Sequence, residues 1–332
     1  MKKIIQPNEK IFIAGANGMV GKASKKSLLK SGYGLKQNDG LLLTPSRQDL
    51  DLLDFEKVKI WFEINKPSVV ILAAAKVGGI MANNSHPTEF ILDNLKIQNN
   101  IIENAWKNGV KRFLFLGSSC IYPKFASQPI IEESLLTDSL EETNQWYAIA
   151  KIAGIKLCQA LRKQYNFDAI SLMPTNLYGP GDNYHPENSH VMASLIRKFF
   201  YAKKKSYNSV TCWGNGSPLR EFLFVDDIGD AIVFALENWD PDSPNAPIDK
   251  EGNPLTILNV GSGLDISIKD LANKIAEFSQ YKGEIIWDQS KPNGTPKKLL
   301  NIEKIDQLGW QPKTSLDEGI FKTISLFEKE NL

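Results

Sequence analysis

The sequence predicts an α/β protein with a doubly wound parallel sheet and a smaller carboxyl-terminal α+β domain. Short apolar strands alternate with amphipathic helices from residue 10 to residue 173, and this order produces parallel strands joined by right-handed crossovers. A glycine-rich turn separates the first strand from the first helix, and the alternation gives way to a long polar loop after residue 173. We interpret that loop as the first boundary between two domains.

The length, hydrophobic content and net charge of the chain are typical of an ordered globular protein with a complete hydrophobic core. The chain has 332 residues, of which 42% are hydrophobic, enough for two domains or one large α/β unit. It has 39 basic and 38 acidic residues, and a net charge of +1 gives no electrostatic reason to expect nucleic acid or a membrane surface as a partner. An anionic ligand must therefore be met by local groups.

Cysteines, histidines and apolar runs argue against several other classes. Cys120, Cys158 and Cys212 show no CxxC spacing, and the three histidines form no HExxH motif, so we expect neither a disulfide framework nor a structural metal. The apolar run at the amino end stops after two residues, and no apolar segment of about 18 residues follows. We expect a soluble, cytoplasmic protein.

The first strand and its turn have the pattern of a dinucleotide site. A strand is predicted at 10–14, followed by Gly15, Gly18 and Gly21 and a helix to about Ser31. Glycines here let the backbone turn sharply and approach a pyrophosphate, which is stabilised at the helix amino end. The spacing is GxxGxxG rather than GxGxxG, and alone it is also typical of a simple turn. Its place between a strand and a helix favours a Rossmann-type nucleotide site.

The second strand, predicted at 41–44, precedes the residues that distinguish the two nicotinamide cofactors. An acidic residue here would bind a ribose 2′-hydroxyl, whereas a 2′-phosphate needs a cation. The chain has Arg47 and no carboxylate before Asp49. We predict NADP, with a solvated loop arginine as the alternative. The run 51–54 either closes over the adenine or caps the helix that begins near Phe55.

Two further strands carry small and polar residues at their carboxyl ends. A strand at 68–72 runs into small residues from Ala73, which allow close approach of a ligand or tight helix packing. A long helix at 87–108 and a strand at 113–117 follow. Ser118 and Cys120 come directly after that strand, at the edge where open parallel sheets bind ligands.

Tyr147 and Lys151 lie four residues apart in a helix predicted at 144–165, hence on one face. A phenol has a pKa of about 10 and donates its proton reluctantly at neutral pH, and a neighbouring ammonium group brings that pKa closer to the working range. We therefore predict that Tyr147 is an acid whose pKa Lys151 lowers. The same spacing also arises by chance on exposed helix faces.

The second half of the chain has shorter elements. A strand at 169–173 leads into a polar loop that reaches His190. Then follow a helix at 191–202, strands at 210–213 and 221–225, a helix at 226–237, a strand at 256–260, a helix at 268–280, a strand at 284–287 and two more helices. We predict a dinucleotide-binding domain of residues 1–178 with about 222–261, and a substrate domain of residues 179–221 with about 262–332.

Five motifs in order carry a specific resemblance. They are AAAKVGGI at 73–80, GSSCIYP at 117–123, PTNLYGP at 174–180, NSHV at 188–191 and GTPKKLL at 294–300. With the glycine turn and the Tyr147/Lys151 pair, the chain resembles the extended short-chain dehydrogenase/reductases and, within them, the GDP-L-fucose synthase family, from Ile11 to about Phe327. The resemblance implies 3,5-epimerisation of GDP-4-keto-6-deoxy-D-mannose and NADPH-dependent reduction of its 4-keto group to give GDP-L-fucose.

The resemblance also implies roles for single residues. Ser118, Tyr147 and Lys151 stand at the hydride-transfer positions, and Cys120 and His190 at the epimerisation acid and base, with the assignment between them open. The implied cofactor-binding residues are Gly15, Asn17, Gly18, Met19, Val20, Gly21, Arg47, Ala73, Tyr147, Lys151, Pro174, Asn176, Leu177 and His190. The implied substrate-binding residues are Lys198, Trp213, Arg220 and Lys298. Asn17 departs from the family, which often has an arginine there that shares the 2′-phosphate.

Other interpretations stay open at this point. Taken alone, Cys120 is typical of a small packed side chain and His190 of a neighbour of a helix start. The two reach opposite faces of a substrate only if the loop before His190 folds back over the cofactor. The chain can also be another nucleotide-sugar epimerase or dehydratase with tightly bound NAD, or a binding protein without catalysis. By resemblance alone, we expect a homodimer formed through the helices at 87–108 and 144–165.

Overall fold

The computed structural model describes residues 3–291 and 293–331. The described residues therefore leave out Met1, Lys2, Pro292 and Leu332, and with them the first residue of the predicted dinucleotide-binding domain and the last residue of the predicted substrate domain. The strands are β1 Lys10–Ala14, β2 Leu41–Leu43, β3 Val69–Leu72, β4 Arg112–Leu116, β5 Ala169–Pro174, β6 Asn176–Tyr178, β7 Ser209–Trp213, β8 Leu219–Phe224, β9 Ile257–Val260, β10 Asp265–Ser267, β11 Glu284–Asp288 and β12 Lys297–Lys298. The α-helices are α1 Met19–Lys30, α2 Phe55–Asn65, α3 Ile80–Ser85, α4 Pro87–Lys107, α5 Gln145–Tyr165, α6 Val191–Lys204, α7 Val225–Asn238, α8 Ile268–Phe278, α9 Glu303–Gln307 and α10 Leu316–Asn331. Over these residues, none of the helices is long and apolar enough to cross a membrane.

A six-stranded parallel sheet forms the larger part of the molecule, in the order β2-β1-β3-β4-β5-β9. Strands β3, β4 and β5 are buried along their whole length, because helices cover both faces of the sheet. Helices α1 and α7 pack together on one face, and α2, α4 and α5 pack on the other. The predicted α/β class and Rossmann-type doubly wound sheet are confirmed.

The strand order reverses between β1 and β3, and such a reversal opens a crevice at the carboxyl ends of the strands. Gly15 follows β1, and Ala73 and Ala74 follow β3, so the turns after both strands border this crevice. An open α/β sheet binds its ligand at this place, and the functional site is therefore expected here.

A second, smaller core lies around two short sheets. Strand β8 pairs with β6, β10 and β12, and β7 pairs with β11. Helices α6, α8 and α10 contribute to the same core. The sequence analysis missed β6, β10 and β12, and it interpreted residues 174–181 as a strand end followed by loop. These strands have only two or three residues each, too few to show an alternating pattern. The short helix α3 was also missed.

Strand β8 belongs to the smaller sheet, whereas the sequence analysis assigned residues 222–225 to the dinucleotide-binding domain. The elements that follow agree with that assignment, since α7 packs on α1 and β9 is a strand of the large sheet. Only Thr175 separates β5 from β6, so the chain passes from the large sheet to the small one within one residue. The boundaries of the two domains stay a prediction.

Candidate active site

The crevice continues into a cavity of about 1050 Å³. It is lined by the turns after β1, β3, β4 and β5 and by residues of α6, β7 and β8. Every candidate residue that the sequence analysis named, from Gly15 to Lys298, lines this cavity. The fold thus brings the nucleotide, catalytic and substrate candidates together in one site.

The turn after β1 leaves no room for a side chain at two of its three glycines. Gly15 has a φ of +89°, and a Cβ there would lie 2.7 Å from the backbone nitrogen of Ala74. A Cβ at Gly21 would lie 2.1 Å from the carbonyl oxygen of Gly15, because α1 packs directly against the turn. At Gly18 the nearest atom to a Cβ would be 3.4 Å away, an ordinary contact. Two glycines are required for the turn itself, and the absence of a side chain at Gly18 keeps the start of α1 open.

The amino end of α1 and two residues beside it suit the charged part of a dinucleotide. Gly18, which precedes α1, has no side chain to cap the helix, and the first turn of α1 contains no acidic residue. Met19 and Val20, whose N–H groups begin the helix, line the cavity, so the positive end of the helix dipole faces it. Asn17 and Arg47 are exposed at the same cavity. A pyrophosphate fits the helix end, and a further phosphate fits Arg47.

Residues 51–54 cap helix α2, which confirms one of the two alternatives, and they also border the cavity. The Asp54 carboxylate caps α2 by accepting a hydrogen bond of 3.1 Å from the N–H of Lys57. Asp51, Leu52 and Leu53 line the cavity. The Asp51 carboxylate also accepts a hydrogen bond of 3.1 Å from the N–H of Leu53, which fixes this turn beside the cavity.

Ser118 follows β4 and fixes the turn that carries Cys120. The Ser118 hydroxyl accepts a hydrogen bond of 3.2 Å from the Cys120 N–H and so caps the short 3₁₀ turn at Ser119–Ile121. The Ser118 side chain also lies near the Tyr147 phenol and acts to lower its pKa. Three candidates from β4 and α5 are thereby held next to one another.

Lys151 is buried one helical turn after Tyr147. Its Nζ donates a hydrogen bond of 2.7 Å to the carbonyl oxygen of Leu116. The same atom lies 5.7 Å from the centre of the Tyr147 ring and 4.8 Å from that of Phe115. Burial lowers the pKa of Lys151 to about 7.

The predicted effect of Lys151 on the phenol is wrong for this arrangement. The pKa of Tyr147 lies above its ordinary value because burial and the negative charge of Cys120 disfavour the phenolate, while Ser118 opposes them only in part. Burial therefore favours the neutral form of both Tyr147 and Lys151. The phenol keeps its proton, and this protonated form is the one that an acid needs.

The Cys120 thiol lies among groups that favour its ionised form. Burial opposes ionisation, but the charge of Lys298 and hydrogen bonds with Ser118, Asn144 and Lys298 outweigh it, so the pKa of Cys120 is lowered. The Nζ of Lys298 approaches the Cys120 Sγ to 3.7 Å. The sequence analysis missed Asn144, which precedes α5 without capping it through its side chain. The sequence showed Asn144 only as the first residue of the helix predicted at 144–165, and this pattern contains no sign of an interaction with Cys120.

The loop before His190 folds back over the turn after β3, as the epimerisation hypothesis requires. The N–H of Gly79 donates a hydrogen bond of 3.1 Å to the carbonyl oxygen of Asn188. A Cβ at Gly79 would lie only 2.6 Å from the carbonyl oxygen of Ser189. His190, which precedes α6 and does not cap it with its side chain, is thereby brought to the cavity wall. Its ring is exposed to the cavity but closely surrounded by protein atoms, and this desolvation lowers its pKa.

Lys198, Trp213 and Arg220 line the part of the cavity that the smaller sheet contributes. The Nζ of Lys198 donates a hydrogen bond of 2.9 Å to the carbonyl oxygen of Thr211 and lies 5.7 Å from the centre of the exposed Trp213 ring. Burial lowers the pKa of Arg220, while the charges of Cys120 and Glu141 raise it. Cations beside an exposed aromatic ring suit a nucleotide, whose base stacks and whose phosphates pair with the cations.

Comparisons with known proteins agree with this site. Residues 11–248 match the sequence model of the NAD dependent epimerase/dehydratase family. GDP-L-fucose synthase 1 of Arabidopsis thaliana is 51% identical over 320 residues, covering 96% of this chain and 93% of that protein. GDP-L-fucose synthase of Escherichia coli (strain K12) is 46% identical over 319 residues, covering 96% of each. The solved structure of the GDP-mannoheptose C4 reductase of Campylobacter jejuni with NADP bound superposes with a TM-score of 0.85 at 33% identity, covering 98% of this chain and 99% of that chain. The chain belongs to the NAD dependent epimerase/dehydratase family and, within it, to the GDP-L-fucose synthase family.

Proposed function

We propose that this chain converts GDP-4-keto-6-deoxy-D-mannose to GDP-L-fucose, by 3,5-epimerisation followed by reduction of the 4-keto group with NADPH. The observation that carries the proposal is that one cavity contains two sets of groups. Ser118, Tyr147 and Lys151 suit reduction of a ketone, and Cys120 and His190 suit proton exchange at the carbons beside it. Relatives that are 51% and 46% identical over nearly the whole chain are GDP-L-fucose synthases.

NADPH fits the residues around the first turn and supplies the hydride when it is bound. The open start of α1 would hold the pyrophosphate, and Arg47 the 2′-phosphate, with Asn17 as an uncharged neighbour. Ala73, Pro174, Asn176 and Leu177 would complete the nicotinamide side of the cavity. The similar GDP-mannoheptose reductase contains NADP, which supports this choice over NAD.

Epimerisation requires that a proton leaves one face of a carbon and returns to the other. A ketone acidifies the protons on the two carbons beside it, which makes this exchange feasible. Cys120 is carried by the turn after β4, and His190 by the loop that covers the turn after β3, so the two side chains come from different walls of the cavity. The hydroxyls of Ser118 and Tyr147 would stabilise the enolate oxygen between them.

Reduction requires a proton for the ketone oxygen when the hydride reaches the carbon. Tyr147 would supply this proton, since its phenol is protonated at neutral pH. Ser118 would hold the same oxygen. Lys151 would hold the nicotinamide ribose. Its pKa of about 7 leaves part of it protonated at neutral pH, and this charged form would stabilise the phenolate as the proton leaves.

Product analysis tests the proposal. Incubation with GDP-4-keto-6-deoxy-mannose and NADPH should consume one NADPH per sugar and yield GDP-L-fucose. Consumption of NADPH with an uninverted sugar as product would instead indicate a simple C4 reductase. A changed sugar without net consumption would indicate an epimerase with tightly bound NAD, and no reaction would indicate a binding protein.

We further propose a cytoplasmic homodimer that forms through α4 and α5. Leu92, Trp146 and Ile149 on these two helices are 44%, 37% and 39% exposed, although they are large and apolar. Packing this face against a second copy would remove apolar surface from water. A reducing compartment suits a site that contains the free thiol of Cys120.

A further inference from the structure

We propose that Lys298 is a positioning residue for Cys120, whose thiol it holds in the ionised form that proton removal requires. This inference rests on the proposed function, which assigns proton exchange to Cys120. It gives Lys298 a second role beside the nucleotide-sugar contact that the resemblance implies. The starting observation is the distance of 3.7 Å between the Lys298 Nζ and the Cys120 Sγ, within hydrogen-bonding range for sulfur.

Lys298 is fixed in place from two sides. Strand β12 pairs in parallel with β8, and its register sets Lys298 opposite Arg220. The next residue, Leu299, donates a hydrogen bond of 2.8 Å to the Gln128 side chain and accepts one of 2.8 Å from the N–H of Ile130. Strand β12 has only two residues, but both of these bonds hold Leu299, the residue that follows it.

The segment that holds Leu299 is continuous with the turn that carries Cys120. The chain leaves the 3₁₀ turn at Ile121 and reaches Gln128 and Ile130 a few residues later. The thiol and the lysine are therefore positioned by one connected unit. We infer that the fold determines the distance between the Lys298 Nζ and the Cys120 Sγ, and that this distance does not result from a chance conformation of a flexible lysine.

The other charged groups around Cys120 do not replace Lys298. Arg220 on β8 interacts with the charge of Cys120, but its guanidinium donates a hydrogen bond of 2.8 Å to the carbonyl oxygen of Leu219. Tyr147 on α5 is a neutral phenol and brings no positive charge. Ser118 and Asn144 form hydrogen bonds with Cys120 but are uncharged. Of these groups, Lys298 both carries positive charge and donates a hydrogen bond to the sulfur.

Because Cys120 is desolvated, the ionisation of its thiol depends strongly on the contact with Lys298. Desolvation is the largest influence on the Cys120 thiol and disfavours the thiolate. Without the Lys298 charge, desolvation should dominate and most of the thiol should stay protonated at neutral pH. Since the thiolate is the form that removes a proton and the form that reacts with alkylating agents, both reactions should respond.

The substrate-independent test is the pH dependence of Cys120 alkylation by iodoacetamide in the full-length protein, followed on the Cys120 peptide by mass spectrometry. In Lys298→Met the midpoint should rise by about one unit or more, so that alkylation at pH 7 slows by about tenfold or more. Lys298→Arg should restore most of the wild-type profile. The matched control is Lys297→Met, because Lys297 pairs with Asp265 at 2.9 Å and its loss should leave the midpoint unchanged. An unchanged midpoint in Lys298→Met would overturn the proposal.

Deuterium uptake by the keto sugar in heavy water, without NADPH, is the second readout. In Lys298→Met the rate should shift to higher pH by the same amount and recover at the alkaline plateau. A raised KM with an unshifted pH profile would mean that Lys298 only binds the nucleotide sugar, and would reject the positioning role. If wild type exchanged no deuterium, the proposed function would fail while the alkylation result stood independently. If Lys298→Met does not fold, Lys298→Gln removes the charge while keeping a polar side chain. The same rise in the pH midpoint of alkylation and of deuterium uptake is then expected in Lys298→Gln, and unchanged midpoints would overturn the proposal.

Discussion

The ammonium group of Lys151 donates a hydrogen bond of 2.7 Å to the carbonyl oxygen of Leu116. Leu116 is the last residue of β4, and Lys151 lies one turn after Tyr147 on α5. The bond therefore joins the strand that leads to Ser118 with the helix that carries the phenol. This tertiary connection holds the Tyr147/Lys151 pair at the cavity wall, whereas the spacing alone is equally compatible with an exposed helix face.

Replacing Tyr147 by Phe should abolish most of the reduction while NADPH binding stays nearly intact. Only the hydroxyl is lost, and a positioned acid contributes about 10²–10⁴-fold to such a rate. Single-turnover oxidation of NADPH by the keto sugar measures the effect, with a cofactor titration beside it. Lys151→Ala should weaken both quantities, because it would remove the proposed ribose contact and also leave the Leu116 carbonyl without its donor. A wild-type rate in Tyr147→Phe would show that another group protonates the oxygen.

Arg47→Ala should weaken NADPH binding and leave NADH binding almost unchanged. A charge-assisted hydrogen bond contributes about 1.5–3 kcal/mol, which corresponds to about one to two decades in affinity. Titration of both cofactors against wild type and variant measures the difference. Lys107→Ala is a suitable control, since Lys107 pairs with Glu103 at 2.6 Å on α4 and does not line the cavity. Equal affinities of wild type for NADPH and NADH would contradict the role given to Arg47.

Gly21→Ala should reduce both stability and NADPH affinity. The added Cβ would lie 2.1 Å from the carbonyl oxygen of Gly15, so α1 must move away from the turn. Overpacking of this kind costs about 1–3 kcal/mol, and the displaced helix would no longer present its amino end at the same place. Thermal unfolding and a cofactor titration measure the two effects. Gly18→Ala, whose Cβ would have its nearest contact at 3.4 Å, should destabilise the fold much less.

The large sheet was predictable because its strands are short apolar runs separated by long helices. Strand β1 and helices α4 and α5 lie within one residue of their predicted bounds. The smaller sheet was not predictable, because its arrangement depends on β8. Residues 176–178, 265–267 and 297–298 become strands only because β8 lies beside them. A local pattern of two or three residues contains no information about such a distant partner.

Motifs identified candidate residues that line one cavity, but their electrostatics were not predictable. Motifs identified Cys120 and Lys298 separately, and nothing in their spacing shows that the two side chains meet at 3.7 Å. Burial explains the error at Tyr147, because desolvation raises its pKa and a sequence shows only that Lys151 is near. Asn144 was missed for a similar reason, since its contact with Cys120 forms between two elements.

Trp146→Glu combined with Ile149→Glu should convert the protein from a dimer to a monomer. Both side chains are exposed on α5, which packs against α4, and charges there could not be buried against a second copy without a large desolvation cost. Light scattering coupled to gel filtration gives the mass directly. Ile64→Glu is the control, because Ile64 is an exposed apolar residue of α2, outside the proposed face. A monomeric wild type, or a double variant that stays dimeric, would exclude this interface.

The final prediction separates this enzyme from an ordinary ketoreductase. Cys120→Ser keeps nearly the same shape but replaces a thiol of lowered pKa with a far weaker acid and base, so inversion should slow sharply. His190→Gln should impair the same stage, because it removes the group whose pKa desolvation holds below its usual range. Reduction should survive in both variants, since Ser118, Tyr147 and Lys151 are unchanged.

The measurement is deuterium uptake at the two carbons beside the ketone in heavy water without NADPH, followed by product identification with NADPH. Each variant should release a GDP-6-deoxy sugar that is not fully epimerised. Two matched controls come from the chain itself. Cys158→Ala removes a buried thiol that does not line the cavity, and His185→Gln changes a histidine of the same loop whose Nδ1 accepts a hydrogen bond of 3.2 Å from the N–H of Glu187. Undiminished exchange at both carbons in Cys120→Ser and His190→Gln would mean that other groups carry the protons. Cys120 would then be only a packed side chain, and His190 only a neighbour of the start of α6.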